Sequence, residues 1–275
     1  MSEKNCKGKT PEDYGFHMPE KKNSFKIDLN EKSSVKKIIG VVSGKGGVGK
    51  SFVTSMLACE MARRGYRVGV LDGDITGPSQ TKAFGIHEKA MGDGKYIYPY
   101  ITKNGIQVIS TNMILDSDET PVIWRGPMVA NILKQFYTDV VWDNVDYMFV
   151  DMPPGTSDVP LTAFQSFPLD GIVVVTSPQE LVSMVVEKAI NMAQSMDIKV
   201  LGLIENMSYV ECPNCNEKIE IFGKSHINEV SEKYGLPVLA KIPMRQQVAA
   251  SADDGTMEDL EIPEIKDAVS FIEGK

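Results

Sequence analysis

The chain has 275 residues, 42% hydrophobic and 24% charged, values of a soluble globular chain that exclude wholesale disorder and fibrous classes. A formal net charge of −8 and a sequence pI near 5.1 argue against a general electrostatic grip on nucleic acid or anionic membrane. No apolar run reaches the roughly 18–20 residues of a membrane helix, and the polar start MSEKNCKGKTPEDYGF lacks the apolar core of a secretory signal. A cytoplasmic protein with no nucleic-acid or membrane partner is expected.

Residues 1–37 carry nine lysines against six acidic residues and few large aliphatics, and read as a flexible arm before one domain at 38–275. Seven runs rich in Val and Ile follow, at 37–43, 67–72, 106–110, 146–152, 171–177, 199–206 and 237–242. Such runs lack polar alternation, which suits strands covered on both faces and joined by helical crossovers. Helical spacing is clearest at Lys50–Arg64, Met128–Thr138, Leu181–Met196 and Lys224–Tyr234, with Gly65 and Gly235 placed as C-terminal caps. The fold class is therefore α/β, a doubly wound, mostly parallel sheet with helices on both faces. Residues 92–105 read as a hairpin or irregular excursion, and the acidic C-terminal stretch as an ordinary packed helix.

The first run leads into GKGGVGKS, Gly44 to Ser51, which matches GxxxxGK[ST] between a strand and a helix. In such a P-loop, Gly44, Gly46, Gly47, Val48 and Gly49 turn backbone amides toward a phosphate chain, and the helix adds its positive end. Lys50 is expected on the β and γ phosphates of ATP and the Ser51 hydroxyl on Mg²⁺. Asp72 and Asp74, in LDGDITGPS, put two carboxylates at a strand's carboxyl end, where a metal and a water need holding; a turn-forming role competes for Asp72. In VDMPPGTSD, Asp151 stands where a Walker B carboxylate holds Mg²⁺, and Gly155 is placed to offer an amide to the γ phosphate.

Four cysteines stand at 6, 59, 212 and 215. Cys212 and Cys215 form a CxxC in ECPNCNE, 211–217, whose spacing lets two thiolates reach one metal from a tight turn. Two ligands are half of a four-coordinate site, and a two-fold homodimer supplies the other half. A redox dithiol and a zinc knuckle using His226 are the alternatives. Cys59, in the P-loop helix, suits a small buried residue.

The second lysine of the loop, Lys45, makes GKGGVGKS resemble the deviant P-loop of SIMIBI-class ATPases, in which this lysine crosses a dimer interface to the partner's ATP. The ordered set GKGGVGKS, LDGDITGPS, WRGPM, DMPPGTSD, TSPQE, ENMS, CPNC and IFG is similar to the Mrp/ApbC family of iron-sulfur cluster carriers over about residues 35–260. The resemblance implies a weak ATPase in which Lys45, Lys50 and Asp74 are catalytic, Asp74 orienting the attacking water. It further implies that Asn206 reads the adenine edge, a buried turn-capping Asn being the other reading, and that Pro243 packs on the base. A bridging [4Fe-4S] cluster on Cys212 and Cys215 of both subunits would pass between a cluster-assembly scaffold and apo iron-sulfur proteins. Cys6 alone near the N-terminus implies no second cluster there. Arg125 is left as an interface or switch contact. A MinD- or ParA-like positioning ATPase and a nickel or other metal-insertion ATPase are the competing functions.

Overall fold

The apolar runs become strands that are buried over most or all of their length. All five residues of β2 (Val68–Asp72) and all six of β8 (Gly171–Thr176) are buried, and since successive side chains point to opposite faces, both faces of the sheet are covered. The computed structural model describes residues 26–74, 77, 79–114, 126–155, 158–179 and 181–275; Cys6 and Arg125 lie outside them. β1 (Val35–Ser43) passes through the glycine loop into α1 (Lys50–Arg63); β2 is followed by the short α2 (Gln80–Ala83). β3 (Met91–Gly92) and β4 (Ile97–Tyr98) form a separate hairpin, and β5 (Tyr100–Ile101) runs antiparallel to β6 (Gln107–Ile109), so the 92–105 excursion holds most of a hairpin and one edge strand of the large sheet. Then come α3 (Gly126–Thr138), β7 (Val145–Asp151), α4 (Asp158–Ser166), β8, α5 (Leu181–Ser195) and β9 (Val200–Glu205). A second hairpin, β10 (Val210–Glu211) with β11 (Lys218–Ile219), precedes α6 (Ile227–Tyr234), β12 (Val238–Lys241), α7 (Gln246–Asp254) and α8 (Ile265–Glu273).

The large sheet has the order β12-β9-β8-β1-β7-β2-β6-β5, parallel throughout the described residues except for β5. The chain moves outward from β1 through β2 on one side and from β8 through β9 and β12 on the other. The carboxyl ends of β1, β7 and β8 therefore flank the switch point, where open α/β sheets bind ligands. α1 packs on β1, β2 and β7 together with α8, while α5 covers β8 and β9 beside α6. Gly235 closes α6 in the left-handed region at φ +63°, as a C-terminal cap requires. No helix among the described residues is long and apolar enough to cross a membrane.

Two expectations need correction. Residues 26–37, assigned to the flexible arm, pack instead: Ile27 and Leu29 rest on the core, and Asn30 Nδ2 donates to the carbonyls of Thr138 and Val140, both at 2.8 Å. The first strand also begins at Val35. α4 and α7 are not among the helices expected above, and α7 has no fully buried residue, Val248 and Ala252 resting partly buried on the core.

Candidate functional site

The P-loop is built by a sharp turn that only glycine fits. At Gly49 φ is +80°, and a Cβ there would lie 2.1 Å from Asn206 Nδ2. Gly47 has the same φ, and a Cβ on Gly46 or Gly47 would meet nothing within 4 Å, so the outer face of the loop is an open cradle. Gly44 instead lies close to the backbone of Val185 in α5. α1 starts behind the loop with no side-chain cap and no acidic residue in its first turn, which leaves its positive end uncompensated by its own side chains. A phosphate chain fits this arrangement. Lys45 points to a neighbour within its own chain, its Nζ donating to Gln179 Oε1, while Ser43 Oγ donates to the Lys45 carbonyl at 2.9 Å.

Behind the loop, β2 and β7 place Asp72 and Asp151 as direct register partners, both fully buried. Lys50, 6% exposed, forms an ion pair with Asp151 Oδ1, and its Nζ also reaches Ser51 Oγ at 3.4 Å. Thr54 Oγ1 donates to Asp151 Oδ1 at 3.2 Å and Gln80 Nε2 to Oδ2 at 2.9 Å, so both carboxylate oxygens are engaged by protein groups. Gln80 also ties this carboxylate to the Ser51 carbonyl at 3.0 Å. Ser51 and Asp151 are thus adjacent hard-oxygen donors, a set that suits Mg²⁺.

Asp72 holds the segment after β2. Its Oδ2 accepts the amides of Ser79 and Gln80 and the Ser110 hydroxyl, each at 3.1 Å, and its Oδ1 accepts the Asp74 amide at 3.2 Å. These four bonds give Asp72 the turn-forming contacts. Burial, with the neighbouring Asp151 charge, pushes its carboxyl up to about 7 against the opposing pull of the Gln80 amide, Lys50 and Ser110. Asp74 is half-buried beyond the strand end, its Oδ1 accepting the Gly77 amide at 3.3 Å. Gly155 reaches the site but its N–H donates to the Ser43 carbonyl at 2.9 Å, so offering it to a phosphate requires that this bond open.

Asn206 and Pro243 come together because β9 and β12 are neighbours and their extensions pair, Ser208 N–H to Ile242 O at 2.9 Å and Met244 N–H to Tyr209 O at 2.8 Å. Asn206 is buried and donates Nδ2 to the Val48 carbonyl at 3.0 Å, so it holds the P-loop directly.

Cys212 and Cys215 sit in the turn of the β10–β11 hairpin, as reduced thiols at the surface. Amide N–H groups of Asn214 and Cys215, with the Cys215 thiol, point at the Cys212 sulfur and hold its pKa below the ordinary value of 9.0. The turn is closed by Asn216 N–H to Cys212 O at 2.9 Å, with Asn216 in the left-handed region at φ 58°. No group of three or more His, Cys, Asp or Glu placed to hold a metal occurs among the described residues, and the His226 ring lies against Glu229 at 3.1 Å. Cys59 is buried in α1, and burial followed by the Glu258 charge pushes its thiol up to about 12, an inert core group.

Several site residues have no motif to announce them. Thr54, Gln80 and Ser110 are common polar types, and only their burial or their long-range partners mark them, whereas Gln179 and Glu205 fall within TSPQE and ENMS without any role being evident there.

An iron-sulfur cluster carrier protein of Clostridium perfringens is 46% identical over 234 residues, 82% of this chain and 82% of that protein. A nucleotide-binding protein from Archaeoglobus fulgidus, solved in complex with ADP and with cobalt found by PIXE, superposes with a TM-score of 0.76 at 38% identity, covering 84% of this chain and 91% of its own. MinD in the MinC:MinD complex of Aquifex aeolicus gives a TM-score of 0.64 at 19% identity, covering 87% and 96%, a likeness of fold alone. The family described as ParA: NUBPL iron-transfer P-loop NTPase matches residues 34–273, which takes in the glycine cradle, the paired aspartates and the cysteine hairpin, and the chain belongs to that family.

Proposed function

We propose that this protein binds and hydrolyses Mg·ATP and carries a [4Fe-4S] cluster, held between two copies of the chain, to apo iron-sulfur proteins. The observation that carries this reading is the cysteine hairpin: each chain presents two thiols in a metal-competent turn, with no further ligand cluster among its described residues. A cubane wants four thiolates, which two chains related by a two-fold axis supply. The names of the relatives and the ADP of the Archaeoglobus protein support the cargo and the nucleotide.

In this reading the amides of Gly44 to Ser51 bind the phosphates, and Lys50 leaves Asp151 for the β and γ oxygens. Ser51 and the released Asp151 would hold Mg²⁺, which neutralises phosphate charge when bound. Asp74 orients the water that attacks the γ phosphorus as the bond to the β–γ bridging oxygen breaks. Gly155 exchanges Ser43 for a γ oxygen. Lys45 exchanges Gln179 for the partner copy's nucleotide, and Asn206 and Pro243 flank the base. Hydrolysis is slow, and the cluster is received from an assembly scaffold.

The MinD-like alternative needs a membrane-binding amphipathic helix, but α8 buries Ile265, Ala268, Val269 and Ile272 and packs on α1 and β12. The test is anaerobic reconstitution followed by iron, sulfide and mass measurements. The expected result is close to four irons and four sulfides per dimer, lost on Cys212→Ala or Cys215→Ala with ATP binding retained. A monomer holding a full cluster, or a dimer that takes zinc or nickel but never iron, overturns the reading.

A further inference from the structure

The excursion that carries the cysteine pair leaves the sheet after β9 and returns at α6, and both of its ends are tied to one carboxylate. Glu205, the last residue of β9, is 1% exposed. Its Oε2 accepts the Ser208 hydroxyl and its Oε1 the Ser225 hydroxyl, each at 2.6 Å. Ser208 stands just before β10, and Ser225 just after the hairpin, where its Oγ also receives the Ile227 amide at the start of α6. The hairpin bearing Cys212 and Cys215 is therefore bracketed by two bonds to a single buried group.

That group adjoins the nucleotide loop. The next residue, Asn206, donates Nδ2 to the Val48 carbonyl and its amide to the Thr176 carbonyl at 2.8 Å. Thr176 is the register partner of Glu205 and opens the segment whose Gln179 receives Lys45. A cavity of about 20 Å³ lies between this segment, Glu205 and His226, room for about one water. Val48 and Lys45 of the P-loop thus reach Glu205 through contacts to its covalent neighbour Asn206 and its register partner's loop.

We propose that Glu205 is a positioning residue that couples the P-loop to the cysteine hairpin. The inference rests on the nucleotide reading given above. Groups drawn to a bound nucleotide, Lys45 away from Gln179 and Asn206 away from Val48, shift the backbone that carries Glu205. The serines must follow, because a buried carboxylate does not give up its donors without replacement. Displacing the bracket as a unit changes the exposure and spacing of Cys212 and Cys215, which is what loading or releasing a cargo requires.

The test uses the full-length, cluster-free, reduced chain. Iodoacetamide modification of Cys212 and Cys215 is followed by peptide mass with and without Mg·ATP, while ATP binding is measured separately by equilibrium dialysis. Wild type should change its rate about fivefold or more on ATP addition, the lower end of ordinary coupling between sites. Ser225→Ala should bind ATP yet show less than about a twofold change, and Ser225→Thr, which keeps the hydroxyl, should restore the response. Glu205→Gln should lose it as Ser225→Ala does. A purely structural role would alter the rates with and without ATP in proportion, leaving their ratio intact, and modification of buried Cys59 would report unfolding. Undiminished response in Ser225→Ala, or a wild type that binds ATP with no change in thiol reactivity, overturns the coupling. A wild type that binds no ATP overturns the nucleotide reading beneath it.

Discussion

Replacing Lys50 with Met keeps the side-chain length and deletes its charge, so the variant isolates what the ammonium does beside two buried carboxylates. Lys50 is 6% exposed, Asp151 and Asp72 are fully buried, and the three share one site. Removing one partner of a buried pair costs about 3–5 kcal/mol, since the other is left without its counter-charge. Thr54 and Gln80 still donate to Asp151, so the lower end, about 3 kcal/mol, is expected near pH 8. For a domain of this size that is a fall in Tm of about 6–12 °C.

The loss must also depend on pH, with a definite sign. Asp72 moves from 3.8 to about 7 on folding. An acid raised in this way binds its proton more tightly when folded, so its contribution to stability falls between about pH 4 and about pH 7 and is level above. Lys50 is one of the groups that hold Asp72 down, and without it the decline extends to higher pH. Urea unfolding followed by circular dichroism, in EDTA without added nucleotide, should therefore give a larger deficit for Lys50→Met at about pH 8.5 than at about pH 6.5. Equal midpoints for variant and wild type at the higher pH, or a deficit that shrinks as pH rises, would refute the electrostatic account.

Three further outcomes follow from the same site. Gly49→Ala should lose ATP affinity by tenfold or more in equilibrium dialysis and cost about 1–2 kcal/mol, because φ is +80° and the new Cβ would strike Asn206; wild-type affinity would contradict the loop geometry. Asp74→Asn should bind ATP normally and hydrolyse it about 100-fold more slowly, and equal phosphate release would remove Asp74 from the water-orienting role. Alkylation of Cys212 should reach half its maximal rate at a lower pH in the folded chain than in urea, because thiolate is the nucleophile and local amides stabilise it. Coincident profiles would show that the turn does not tune the sulfur.

Local chemistry made much of this protein legible in its sequence. A P-loop is written within eight consecutive residues, since its turn, its helix start and its lysine are all set by near neighbours. The parallel strands are equally local, because burial on both faces removes polar alternation from each run. The CxxC turn likewise carries its own amides to Cys212.

What tertiary structure alone decided are the contacts that join distant segments. Lys45 meets Gln179 across 134 residues, Lys50 meets Asp151 across 101, and Asn206 meets Val48 across 158. In sequence, Gln80 and Thr54 are indistinguishable from solvated polar residues, and ENMS does not say what Glu205 touches; only the assembled fold buries them and so obliges each to find a partner. The domain boundary has the same cause. Residues 26–34 are too polar to look like core, yet Asn30 meets backbone carbonyls 108 and 110 residues away, and Ile27 and Leu29 settle on an apolar surface that other segments build. Periodicity measures how a segment pairs with itself, whereas these residues are placed by groups that approach only once the sheet has formed.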